Sequence, residues 1–234
     1  WGIDHRNALT CVHPALTRRF PTNDRMMGHR RLPRNVFTDT MFSGVKSKRD
    51  NKCAQVFCTN FGWTRVHPLE SKRLAHEALS LVFQRDGVPP RMIVDNSKEQ
   101  VGKSFKRKCR EADCHLVTTE PYSPWMQAAE GCIKQVKAGS TRKLIKSGSP
   151  KPLWDHCLEL EGSIRSKTAL DIYGLEGQVP ETIMTGETGD ISNLCEFEWF
   201  QWVMYYEPTE CYQNGKAQIG RWLGPAPDVG TAMT

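Results

Sequence analysis

Three carboxylates, Asp39, Asp95 and Glu130, are the residues of this sequence best suited to chemistry; 56 residues separate the first two and 35 the last two. Asp39 interrupts the apolar run VFTDTMF, and Asp95 ends a second one, RMIVD. A carboxylate among apolar neighbours is costly to bury unless it is paired or binds a cation. Mg²⁺ and Mn²⁺ prefer carboxylate oxygens. Two such ions held by three acids can activate a hydroxyl and steady the leaving oxygen of a phosphodiester. Structural salt bridges are the competing use for the same acids.

Positioning these acids requires strands and a helix. VFTDTMFSG, CAQVFCTNFG and WTRVHPL read as three strands of an antiparallel meander, with Asn51, Asn60 and Gly62 as turn residues. SKRLAHEALSLVFQRDG places Leu74, Ala78, Leu81 and Val82 on one face of a helix that ends near Gly87. RMIVD is a short buried strand, SFKRKCREADC a basic helix, and HLVTTE a fifth strand. Glu130 lies on a helix running from Pro124 to about Leu144. A further helix over residues 152–170 buries Leu153, Cys157, Leu160 and Ile164. This order predicts an α/β fold, a mixed five-stranded sheet with helices on both faces. After Gly174 short aromatic strands such as EFEWFQWVMYYE take over. The expected division is a basic linker over 1–34, a core over 35–174 and a C-terminal β-rich segment over 175–234.

Glu130 is the only acid between residues 121 and 151, where Lys134, Lys137, Arg142, Lys143, Lys146 and Lys151 are all basic. Lys134 and Lys137 fall on the Glu130 side of the helix and are candidate phosphate contacts; a solvated basic face is the plainer alternative. Tyr122 and Gln127, with Trp125, lie in the Pro-bounded loop before Glu130 and are candidates to line a DNA path. Lys103, Lys106, Arg107, Lys108 and Arg110 are as consistent with a wet helix face as with DNA contact. Residues 186–214 contain six acids and no Lys or Arg, which argues against DNA contact there. The aromatics Trp199, Phe200, Trp202, Tyr205 and Tyr206 read as the packing of a small β module.

At 234 residues and 38% apolar, the chain can bury one full core plus a small appendage. Its net charge of +6 permits a polyanionic partner without requiring one. No apolar run reaches the length of a membrane span. Nine cysteines, an odd count at irregular spacing, argue against a disulfide framework and for reduced, core-filling thiols. Residues 1–34 carry seven arginines against two acids. Among Cys11, His13, His5 and His29 there is no Cys-x₂-Cys pair, so a tetrahedral zinc site is not expected. The sequence opens on Trp and stops in mid-pattern, as a piece of a longer polyprotein would.

The order Asp39, Asp95, Glu130 resembles the catalytic core of retroviral and retrotransposon integrases, a ribonuclease H-like fold. TEPYSPWMQAAEGCIK is similar to the family's approach to its catalytic Glu, and GQVPETIMTGETGDISNLCEF to the segment after the core in Ty1/copia-type polyproteins. GRWLGPAPDVGTAMT resembles the small β-rich piece that follows. The likeness covers roughly residues 33–234. It implies metal-dependent polynucleotidyl transfer, in which a 3′-hydroxyl of element DNA attacks a phosphodiester of target DNA. Asp39 would bridge two Mg²⁺ or Mn²⁺ ions, with Asp95 completing one site and Glu130 the other. It also implies DNA ends and target as partners, a homo-oligomer, and action in the nucleus after a cytoplasmic particle stage. A decayed or domesticated copy acting only as a DNA- or chromatin-binding module is the alternative. A plain ribonuclease H domain is a further rival, disfavoured because such domains generally use four acids.

Overall fold

The computed structural model describes residues 29–95, 102–119, 128–172, 174–206 and 217–226. Strands β1 (Val36–Phe42), β2 (Cys53–Cys58) and β3 (Thr64–Leu69) form the antiparallel meander expected from their alternation. Helix α1 (Ala75–Arg85) leads to β4 (Arg91–Val94), and α2 (Lys103–Glu111) leads to β5 (His115–Thr118). β4 lies parallel to β1, and β5 parallel to β4. The sheet order is therefore β3-β2-β1-β4-β5, mixed and five-stranded.

Each sheet face carries its own core, because side chains alternate along a strand. On one face Val36, Phe57, Met92 and Val94 pack against Leu79 and Val82 of α1 and Phe105 of α2. On the other, Met41, Val56 and Val66 pack against α3 (Ala128–Ser147) and α4 (Trp154–Lys167). The buried stripe of α1 is Ala75, Ala78, Leu79, Val82 and Phe83. Leu81, expected on that stripe, is 39% exposed. The helix is rotated so that Leu79 and Phe83 take the inward positions.

Gly87 ends α1 because nothing else fits there. Its φ is +123°, and a Cβ would lie 2.5 Å from the carbonyl oxygen of Arg30. That approach lets the Val88 N–H donate to Arg30 O at 2.7 Å and the Leu32 N–H donate to Val88 O at 2.9 Å. Leu32 is buried in the α1-side core.

After α4 come two short helices, α5 (Pro180–Thr185) and α6 (Ser192–Glu196), where the sequence led us to expect strands only. Pro180 sits in the first turn of α5, and Gly186 closes it with φ of 71°. β6 (Trp202–Tyr206) and β7 (Ala217–Arg221) form a separate two-stranded antiparallel sheet. Trp199 and Trp222 pack on Leu153, Cys157 and Leu160, and the Trp199 indole N–H donates to Ser149 Oγ at 3.0 Å. Trp202, Tyr205 and Tyr206, read above as the packing of a small β module, are 62%, 48% and 62% exposed. A two-stranded sheet has few neighbours to cover its faces, so alternation alone did not reveal which aromatics are sheltered.

Among the described residues no helix is long and apolar enough to cross a membrane. The described cysteines are unbridged, and all except Cys195 are buried.

Candidate functional site

The site is built on β1. Asp39 is half-buried, and its Oδ1 accepts the N–H of Thr40 at 2.7 Å. Its neighbours Thr38 and Thr40 point to the opposite face, where Gln55 of β2 ties them together. Thr40 Oγ1 donates to Gln55 Oε1 at 2.7 Å, Gln55 Nε2 donates to Thr38 Oγ1 at 2.6 Å, and Thr38 Oγ1 donates to Val56 O at 2.8 Å. Each of these groups has a partner, so the buried network stiffens the strand instead of weakening it. Nothing in the reading of the acids pointed to Gln55; the available signal was one amide in the otherwise apolar run CAQVFC.

β4 brings the second acid to the same level. The parallel register pairs Val36 with Met92, Phe37 with Ile93 and Thr38 with Val94. The next step along both strands sets Asp39 beside Asp95. Neighbouring strands lie roughly 4.8 Å apart, and residues at one level of a parallel pair face the same side. That side is the one covered by α3, since Phe37 packs with Ala129 and Ile133. Asp95 is exposed and directly follows Val94, the last residue of β4.

Glu130 stands in the first turn of α3. The buried stripe of α3, Ala129, Cys132, Ile133, Val136 and Ser140, leaves Glu130 on its flank. Its Oε1 is 2.9 Å from the Nζ of Lys134, and both side chains are largely exposed. Lys143 pairs with Glu161, and Lys146 lies 3.5 Å from Glu198. Lys137 and Arg142 are the α3 cations with no ion-pair partner among the described residues. Beneath Glu130, Cys132 Sγ contacts Thr64 Oγ1 at 3.3 Å, and Thr64 faces Cys58 across β2 and β3. Hydrogen bonding with Cys132 raises the Cys58 thiol well above its ordinary range. Tyr122, Trp125 and Gln127 lie outside the described residues.

A divalent cation would find hard oxygen donors here, in ligand type and in strand position. Among the described residues, however, no three His, Cys, Asp or Glu side chains are gathered as a metal-binding group. The two strand acids share a level, whereas Glu130 is turned toward Lys134, the contact that a cation would have to replace.

No protein-family model and no curated protein matches this sequence. Solved structures do match the fold. The catalytic core domain of HTLV-2 integrase, described in complex with magnesium in a trimeric form, aligns with a TM-score of 0.50 at 14% identity. The alignment covers 64% of this chain and 95% of that one. A simian T-cell lymphotropic virus intasome, described in complex with the PP2A regulatory subunit B56 gamma, aligns with a TM-score of 0.51 at 13% identity. It covers 76% of this chain and 69% of that one. At such identities the likeness establishes the fold: the ribonuclease H-like architecture of retroviral integrase catalytic cores.

Proposed function

We propose that this chain is the catalytic core of a copia-like retrotransposon integrase, joining a 3′-hydroxyl of element DNA to a phosphodiester of target DNA. The observation that carries this reading is the parallel register of β1 and β4, which ends at Thr38 and Val94 and, carried one residue further, puts Asp39 and Asp95 at one level on the face covered by the helix of Glu130. Two Mg²⁺ or Mn²⁺ ions are the proposed cofactor, with Asp39, Asp95 and Glu130 as their ligands. When bound, such ions activate the attacking hydroxyl and neutralise charge at the phosphodiester. The magnesium complex of the HTLV-2 core supports that choice of cation.

The chain's own groups divide the remaining work. Asp39 is held on a strand braced by Gln55, so its carboxylate starts from a fixed backbone. Lys137, and Lys134 once released from Glu130, supply positive charge for a phosphate backbone lying along α3. Tyr122 and Gln127 would line the same path. Self-association and nuclear action after a cytoplasmic particle stage belong to the same proposal.

The Lys134–Glu130 ion pair favours a second reading, a DNA-binding module whose acids no longer gather around a metal. Strand-transfer and branched-DNA rejoining assays in Mg²⁺ or Mn²⁺ separate the two. Under the first reading the folded chain forms joined products, and Asp39→Asn, Asp95→Asn and Glu130→Gln each abolish them while DNA binding persists. A folded chain that binds DNA but joins none supports the module. Near-normal transfer in any one of the three variants removes that residue from the ligand set.

A further inference from the structure

A second chemically equipped place lies away from the acids, where α2 turns into β5. Asp113 takes the left-handed conformation with φ of 54°. Its N–H donates to Arg110 O at 3.1 Å, and the Cys114 N–H donates to Cys109 O at 2.8 Å. This pair of bonds is a Schellman motif, which brings the residue two past the helix cap against the one in its last turn. Here those residues are Cys114 and Cys109, both free thiols of the same buried cluster.

Both thiols are buried, but Cys114 keeps 6% of its surface exposed. Cys114 lines a cleft of about 660 Å³ together with Arg31, Leu32, Pro90, Arg110, Asp113 and His115. Arg31 donates to Asp113 through both Nη1 and Nη2, at 3.0 Å to the carbonyl and 3.3 Å to the carboxylate. Arg110 has no ion-pair partner among the described residues. The opening is thus cationic, and Cys114 stands on its wall, joined through its backbone N–H to Cys109 on the last turn of α2.

We infer that Cys114 and Cys109 form an exchange-active dithiol that reacts with a small anionic disulfide entering this cleft and ends as an intramolecular Cys109–Cys114 disulfide. Cys114 attacks one sulfur of the incoming disulfide, whose S–S bond breaks and releases one thiolate. Cys109 then attacks the Cys114 sulfur of the mixed disulfide, and the second thiol leaves. The two protein thiols lose two electrons and two protons overall, and one small disulfide becomes two small thiols. The hydrogen bond with Cys109, helped by the Arg31 charge, lowers the Cys114 thiol against the opposing effect of burial, while Cys109 is raised. Cys114 is the attacking group because it, and not Cys109, stands on the cleft wall where the incoming disulfide arrives.

The test treats the folded chain with glutathione disulfide, traps remaining thiols with N-ethylmaleimide and maps the peptides. The expected product is a Cys109–Cys114 bond carrying no glutathione, with Cys109→Ala leaving glutathione attached to Cys114. Arg110→Glu should slow the reaction with glutathione disulfide, and speed that with the dicationic cystamine, each by on the order of tenfold. The inference is overturned if Cys114 remains alkylatable after the exposed Cys195 has reacted. It is equally overturned if both disulfides react at one rate that Arg110→Glu does not change.

Discussion

Lys134 Nζ lies 2.9 Å from Glu130 Oε1, one helical turn along α3, so the acid proposed to hold a metal already holds a cation. Exposed pairs of this kind contribute about 0.2–1 kcal/mol. Lys134→Gln should therefore lower the Mn²⁺ concentration giving half-maximal activity by roughly 1.4- to fivefold. Lys137→Gln should leave that midpoint unchanged and reduce the slope of log K against log salt for DNA binding by about one unit. A metal titration and a salt titration of both variants check the pair of outcomes.

The Gln55 bridge predicts a non-additive double mutant. Gln55→Leu leaves the buried Thr40 hydroxyl without its acceptor, at about 1–3 kcal/mol. Adding Thr40→Val removes the orphan and should recover much of that loss in urea unfolding. Strand transfer should follow the same order, because the bridge braces the residues on both sides of Asp39.

Arg65 is a largely sheltered cation, its side chain 19% exposed. It reaches Asp86 at 2.8 Å and Glu181 at 2.5 Å, and thereby ties β3 to the end of α1 and to α5. Burial pushes the Asp86 carboxyl up while Arg65 pulls it down. Arg65→Met should destabilise the chain by roughly 3–5 kcal/mol, because two sheltered carboxylates lose their partner. Combining it with Asp86→Asn and Glu181→Gln should restore most of the melting temperature.

His67 sets an acid limit on stability. Burial, helped by the charges of Arg85 and Arg65, lowers its pKa from 6.5 to about 4. The unfolded chain then binds the extra proton first, so stability falls as pH drops from 6.5 toward 4 and is fully present above 6.5. The gap corresponds to roughly 3 kcal/mol at its limit. Its ring meets Phe57 edge-on at 5.8 Å. His67→Phe should flatten the decline of melting temperature between pH 6.5 and 4, and an unchanged slope would assign it to other groups.

Much of the fold could be read from local pattern. The alternation in β1 to β3 identified the meander, and Gly87 the end of α1. The flank position of Glu130 and its proximity to Lys134 follow from helical spacing. The level of Asp39 and Asp95 does not, because it depends on a register between strands far apart in sequence. The exposure of Leu81 was hidden for a similar reason: the sheet and α2 together select which edge of α1 turns inward. The meeting of Cys109 and Cys114 depends on one left-handed residue, Asp113, that no periodicity marks.

Strand order also sets a folding sequence. The pairings of β1 with β2 and of β2 with β3 join residues close in sequence, whereas β4 reaches β1 only by closing a loop around the whole meander and α1. Such closure is entropically dearer, and non-local pairings slow folding. Asp39 should thus be seated early in folding, with Asp95 brought beside it late. Substitutions across β1 and β2 should slow refolding, while those at the β1–β4 seam should chiefly speed unfolding. A nascent chain would then pass through a stage with its sheet begun and its two strand acids still apart.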